Sequence, residues 1–151
     1  MKNIIATTVF IILAASAFGQ NNVMLTVEVD SIQKLKGAIY AAVFKNQDDF
    51  KADRAVQRKK TVVKNSSENV VFNLPADRHY MVALFQDLNA DGKLNTKGAM
   101  NVPDEPVGFS NNKYGRFGPP GFDRTSFLLK HDTTITIHII SSRREYFNKA
   151  N

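Results

Sequence analysis

Residues 23–29 run Val-Met-Leu-Thr-Val-Glu-Val, and the second half alternates apolar with polar side chains as a half-buried strand does. Residues 37–44 are too apolar for a strand with one wet face, so a central position in a sheet is expected. The segment 48–60 loses this character; Asp48 or Asp49 is placed to cap a short helix carrying Phe50, Ala55 and Val56, and the stretch reads as a crossover. A β pattern returns at 61–63 and 70–74 across the turn-forming Asn65-Ser66-Ser67, which predicts a hairpin. Further strands are expected at 80–85, 125–129 and 133–140, the last alternating Ile135, Ile137 and Ile139 with Thr134, Thr136 and His138. About seven strands separated by turn signals predict an all-β sandwich.

Residues 95–123 interrupt the pattern. They are rich in Gly, Pro and Asn and follow neither the helix nor the strand period. Irregular loops beyond about 15 residues are uncommon in compact domains, and Phe109, Tyr114, Phe117 and Phe122 argue against simple disorder. A folded excursion over one end of the sandwich is expected. With Lys113, Arg116 and Arg124 nearby, Phe109, Tyr114, Arg116, Phe117 and Phe122 have the composition of a recognition surface, suited to sugar rings, an envelope protein or a membrane surface. The preferred reading is that the rings fold inward and pin the excursion to the sandwich, because a long loop needs some core of its own.

Ahead of the strands, Met1-Lys2-Asn3 puts a positive charge before an apolar run over 4–17 that ends in small residues, the layout of a signal peptide. A membrane-spanning helix needs about 20 apolar residues, and this run gives way to Gln20-Asn21-Asn22. Both Ala15-Ser16-Ala17 and a cut after Gly19 fit the cleavage rule. The expected organisation is a leader over 1–19 and one domain over 20–151, exported to the periplasm or beyond, with no membrane span after cleavage. The absence of cysteine excludes disulfides, thiolate metal sites and a thiol nucleophile. The net charge of +6 suits anionic partners, but the cations are scattered from Lys34 to Lys149, and Arg58-Lys59-Lys60 has no interleaved aromatics. A solvated basic surface is expected rather than a nucleic-acid interface.

The acidic run Asp87-Leu88-Asn89-Ala90-Asp91-Gly92-Lys93-Leu94-Asn95 is the main candidate for chemistry. Hard cations need several converging oxygens. Alternate side chains of Asp87, Asn89 and Asp91, the carbonyl of Lys93 and the side chain of Asn95 supply them, with Gly92 at the sharp turn. This matches the first nine positions of the helix-loop-helix calcium loop; the twelfth, normally Glu, is Gly98, and a strand precedes the run, so that motif is excluded. Asp104 or Glu105 could complete a shell if the excursion folds back. Calcium, another hard metal, or a metal-free Asx turn satisfying its own backbone all remain open.

The acidic run, together with Val102-Pro103-Asp104-Glu105-Pro106-Val107-Gly108-Phe109-Ser110-Asn111-Asn112 and Pro119-Pro120-Gly121-Phe122, resembles an exported bacterial family, domain of unknown function 2141. The resemblance extends to residues 37–44 and the closing strands. It implies an immunoglobulin-like or prealbumin-like β-sandwich in the periplasm or outside the cell, with no established activity. Two departures stand out. Leu74-Pro75 leads to Tyr80 through Asp77-Arg78-His79 where the common pattern has a glycine turn, and the acidic run ends in Asn95 where the family commonly has Asp.

No catalytic constellation emerges. His79, His131 and His138 belong to no nucleophile elbow or metal-binding spacing. Asp104 and Glu105 are adjacent carboxylates that could serve a glycosidase, yet adjacent acids in a loop are more often solvated or metal-bound. The reading that results is a non-enzymatic exported sandwich with a possible structural calcium loop, the alternative being a carbohydrate- or envelope-binding module that uses residues 109–122.

Overall fold

The computed structural model describes residues 21–99, 101–115, 118–140 and 145. Along the chain come β1 (Asn22–Asp30), β2 (Ala38–Phe44), α1 (Gln47–Lys51), β3 (Gln57–Val62), β4 (Glu68–Pro75) and β5 (Arg78–Asp87). Then follow β6 (Thr96–Lys97), β7 (Val102–Pro103), β8 (Val107–Phe109), a 3-10 turn at Ser110–Asn112, α2 (Phe122–Thr125), β9 (Phe127–Leu129) and β10 (Thr133–His138). One sheet has the order β10-β1-β4, with β10 parallel to β1 and β4 antiparallel. The other has the order β3-β2-β5-β8, with β9 pairing the first residues of β5.

The period of two in each strand decides which residues meet between the sheets. β1 contributes Leu25, Val27 and Val29, β4 contributes Val70, Phe72 and Leu74, and β2 contributes Ile39, Ala41 and Val43. From β5 come Tyr80, Val82 and Leu84. This is the main core of an all-β sandwich, where burying each large apolar side chain contributes about 1.5–3 kcal/mol.

Three local expectations need correction. The helix cap is Asn46, whose side chain accepts from the Asp49 N–H at 2.8 Å, and α1 stops at Lys51, so Ala55 and Val56 lie beyond it. Residues 61–63 and 70–74 form no hairpin: β3 pairs with β2 and β4 with β1, so the Asn65-Ser66-Ser67 turn carries the chain from one sheet to the other. Glu68 fixes that turn, its Oε1 accepting from the Lys64 and Asn65 N–H groups at 2.7 Å. The strand at β3 also starts earlier than apolar pattern suggests, because Arg58 and Lys60 occupy a sheet edge facing water.

The glycine-free turn before Tyr80 closes in another way. Asp77 itself takes a positive φ of 57°, and the Tyr80 hydroxyl donates to the Pro75 carbonyl at 3.0 Å, the contact that fixes a tyrosine corner.

The excursion is more regular than its sequence suggests, since β6 pairs with β7 and β8 extends the larger sheet beside β5. It covers part of that sheet's outer face, where Met81, Val107, Phe109, Tyr114 and Ile140 form a second core against Phe50, Ala83, Phe85 and Phe122. Polar stitches hold it down. The buried Ser110 hydroxyl accepts from the Val82 N–H at 2.9 Å and donates to the Thr125 carbonyl at 2.6 Å. The Asn112 side chain accepts from the His138 N–H at 2.9 Å, and Gln47 of α1 accepts from the Phe122 N–H at 2.6 Å.

Candidate functional site

The acidic run leaves β5 at Asp87 and turns back on itself. Asp87 is 1% exposed, and its two oxygens accept from the Ala90 N–H at 2.7 Å and the Gly92 N–H at 2.9 Å. Beyond it, the Asn89 amide nitrogen donates to Asp91 at 3.1 Å and Asn95 at 2.9 Å, while Asp91 accepts from the Lys93 N–H at 2.8 Å and the Asn95 amide at 3.0 Å. Gly37 lets the neighbouring strand come close: its φ is +74°, and a Cβ there would lie 1.9 Å from the Asp87 carbonyl oxygen.

Asp87, Asn89, Asp91 and Asn95 are therefore gathered in one hydrogen-bonded turn. Glu105 closes it from the excursion, its oxygens accepting from the Leu88 N–H at 2.8 Å and the Asn95 N–H at 3.1 Å. Asp104 points elsewhere, pairing with Lys97 at 2.7 Å. Among the described residues no three acidic or histidine side chains come together, so neither Asp104 nor Glu105 joins Asp87 and Asp91 in a ligand set. Both carboxylates are engaged, Glu105 by backbone amides and Asp104 by the Lys97 ammonium.

Of the aromatics at 109–122, Phe109 and Tyr114 are buried and Phe122 is half-buried. Tyr114 is 1% and Phe109 8% exposed, their rings meet edge to face with centroids 6.0 Å apart, and the Tyr114 hydroxyl donates to the His138 carbonyl at 2.5 Å. Burial pushes that hydroxyl's pKa up. Phe122 packs against the same cluster. These rings turn inward because the outer face of β5 offers apolar surface to cover and the excursion has no other core. Arg116 and Phe117, like the expected leader and the tail from Ser141, lie outside the described residues, save Glu145.

What remains open is the rest of that outer face, and its makeup follows from strand register. Arg58 lies opposite Ala42, Ala42 opposite Ala83, and Ala83 opposite Phe109. In the neighbouring row Lys60, Tyr40, Phe85 and Val107 are aligned in the same way. The Tyr40 and Phe85 rings stack at 5.2 Å with planes 9° apart, and the Lys60 ammonium stands 4.8 Å over the other face of Tyr40. The nearby Tyr40 hydroxyl raises the Lys60 pKa, so this cation stays charged.

Because Ala42 and Ala83 carry only methyl groups, a groove of 580 Å³ opens beside the stacked rings. Phe44 and Asp53 line it toward α1; Gly92, Lys93 and Leu94 line it from the acidic turn. Arg58 stands at its edge, with Nη2 held by the Asp53 carboxylate at 2.8 Å and the Asp53 carbonyl at 2.6 Å. Lys93 makes no ion pair among the described residues. The volume falls within the range of about 300–1,000 Å³ typical of small-molecule sites. Sequence reasoning passed over these residues; the available signal was an alanine on each of two expected strands, Ala42 on the one expected to be central and Ala83 on 80–85.

A family model described as an uncharacterised protein conserved in bacteria (DUF2141) matches residues 27–137. No curated protein and no solved structure matches the chain. No helix among the described residues is long and apolar enough to cross a membrane.

Proposed function

We propose that this chain, which belongs to the DUF2141 family of bacterial proteins, is an exported, non-catalytic binding domain whose ligand lies in the open groove on the outer face of β3, β2 and β5. The observation that carries this reading is the groove itself: a floor of alanine methyls, a wall of aromatic edges and a rim of solvated cations. That combination of apolar surface with a few polar groups at the margin suits recognition. The leader-like residues 1–19 support export, and an envelope polysaccharide is the ligand class that an open groove at the cell surface fits.

Retardation of the protein in gels containing cell-envelope polysaccharide tests the proposal. Ala42→Leu, which fills the groove, should abolish the retardation, whereas unchanged mobility of that variant relative to wild type would place any binding elsewhere.

The acidic turn forms one wall of the groove, and we take it as a structural calcium site of modest affinity. Convergence of Asn89, Asp91 and Asn95 within hydrogen-bond distance supports this, as do the lone pairs that Asp87 retains after accepting two N–H groups. Binding requires the Asn89 amide to turn its oxygen toward the ion, since its nitrogen now faces Asp91 and Asn95. The ligands would be Asp87, Asn89, Asp91 and Asn95 with the Lys93 carbonyl. An ion bound only by the folded state raises the thermal midpoint, so millimolar calcium should raise Tm and Asp91→Ala should remove the rise. An unchanged Tm would make this a hydrogen-bonded turn that needs no ion.

A further inference from the structure

Resting on that reading of the groove, we infer that its ligand is a polyanionic saccharide, a chain of hexuronate units whose carboxylates meet Arg58 and Lys93. Arg58 and Lys93 come from different elements, β3 and the acidic turn, and both line the groove; Lys59, also in its lining, lies opposite the inward-facing Ala41 and so in the other phase of β3. Two separated cations at a solvated rim suit a ligand whose charge repeats along its length. A single carboxylate that had to be desolvated would call for a deeper pocket with donors converging on one point. Lys60, aligned with Tyr40 on the same face, adds a further positive charge beside the stacked rings. Against these the groove has one acid, Asp53, already paired with Arg58; that pair uses only Nη2 of a guanidinium with five N–H donors, which leaves donors for a ligand carboxylate.

The floor separates this ligand from other polyanions. Single-stranded nucleic acid binds by stacking bases on open aromatic faces, but Tyr40 is covered by Lys60 on one face and Phe85 on the other. Phe85 in turn packs against the second core. A phospholipid would need an apolar slot for its acyl chains, and the alanine floor is shallow. A pyranose ring requires only a small apolar patch for its C–H face, which the Ala42 and Ala83 methyls supply, with ring edges beside it.

The test is affinity electrophoresis of the full protein in polygalacturonate and, separately, in neutral dextran. Polygalacturonate should retard the protein and dextran should not. The double variant Arg58→Gln with Lys93→Gln should weaken polygalacturonate binding by about tenfold or more, since even one charge-assisted contact is worth about that factor. Lys34→Gln with Lys36→Gln removes the same charge outside the groove and should change binding less than about twofold, as expected for solvated charges away from the site.

Equal loss in both double variants would reduce the interaction to net charge and overturn the inference. Equal retardation by dextran, insensitive to Arg58 and Lys93 but abolished by Ala42→Leu, would overturn the acidic ligand while keeping the groove. Polygalacturonate binding that survives both Ala42→Leu and Ala83→Leu would sink the groove reading itself. Vesicles containing phosphatidylglycerol provide the remaining arm: if they bind with the same Arg58 and Lys93 dependence and displace polygalacturonate, the ligand is a lipid headgroup and the saccharide is wrong. Each variant's unfolding midpoint, measured alongside, separates lost binding from lost folding.

Discussion

The two faces of the β2–β5 pair are built from alternate residues of the same strands, yet they have different fates. Ile39, Ala41 and Val43 with Tyr80, Val82 and Leu84 face the opposing sheet and vanish into the main core. Tyr40, Ala42 and Phe44 with Met81, Ala83 and Phe85 face outward, where coverage is partial. At one part the excursion packs Phe109 and Tyr114 in one cluster with Met81; at another Ala42 is only half-buried and lines the groove. A sheet face is thus no fixed category: it becomes core where a loop supplies rings to cover it and a groove where small residues meet no cover.

The largest test of this contrast is Phe72→Ala in the main core. It should cost about 3–5 kcal/mol in a denaturant titration, because Phe72 is fully buried among side chains from both sheets. A loss below 1 kcal/mol would erase the distinction between the sandwich interior and its outer cover.

Tyr114→Phe probes the covered part of the outer face. Losing the hydroxyl's bond to the His138 carbonyl should cost about 1 kcal/mol. The variant should also change the alkaline limb of stability. Burial, and secondarily the negative charges of Glu145 and Asp30, raise the pKa of Tyr114 in the folded state above its ordinary 10.0. Above that pH the unfolded chain releases a proton that the folded chain retains, so stability is full below it and is lost as pH rises further. Denaturation curves across the alkaline range should be less pH-dependent for Tyr114→Phe, though not flat, because burial also raises Tyr80. An identical slope in the two proteins would mean that Tyr114 is not held neutral by the fold.

At the open part the effect should be smallest. Arg58→Gln and Lys93→Gln should each change stability by no more than about 0.5 kcal/mol, since both side chains are exposed and neither supports the core. A loss above 1.5 kcal/mol in either would make the rim structural and remove the distinction between site and scaffold.

Much of the architecture was legible because strands announce themselves through a period of two. The alternation in β1 and β10 marked their inward residues, and the apolar run at 37–44 marked a central strand. Partner choice was not legible. The short span between β3 and β4 looks like a hairpin, but β3 buries little of its own surface and works as an edge beside β2, whereas β4 buries Val70, Phe72 and Leu74 beside β1. Only the opposing sheet makes that difference count.

At the candidate sites the acidic turn was visible as a spacing of oxygen-bearing side chains, since Asx residues and Gly92 act over short distances along the chain. The role of Glu105 was not, because it reaches Leu88 and Asn95 across the excursion. Likewise the Phe and Tyr content of residues 109–122 is compatible with a surface or a core, and the exposed outer face of β5 selects the core.

By itself, then, the sequence determined the β-rich class, the inward phase of the strands, the acidic turn and its glycine, because each depends on neighbours within a few residues. Tertiary structure alone decided that Phe109 and Tyr114 would be buried and that Arg58, Tyr40, Ala42, Ala83 and Phe85 would meet across three strands. The physical reason is that cross-strand register and loop coverage are set by which apolar surfaces must leave water together, and those surfaces lie far apart along the chain.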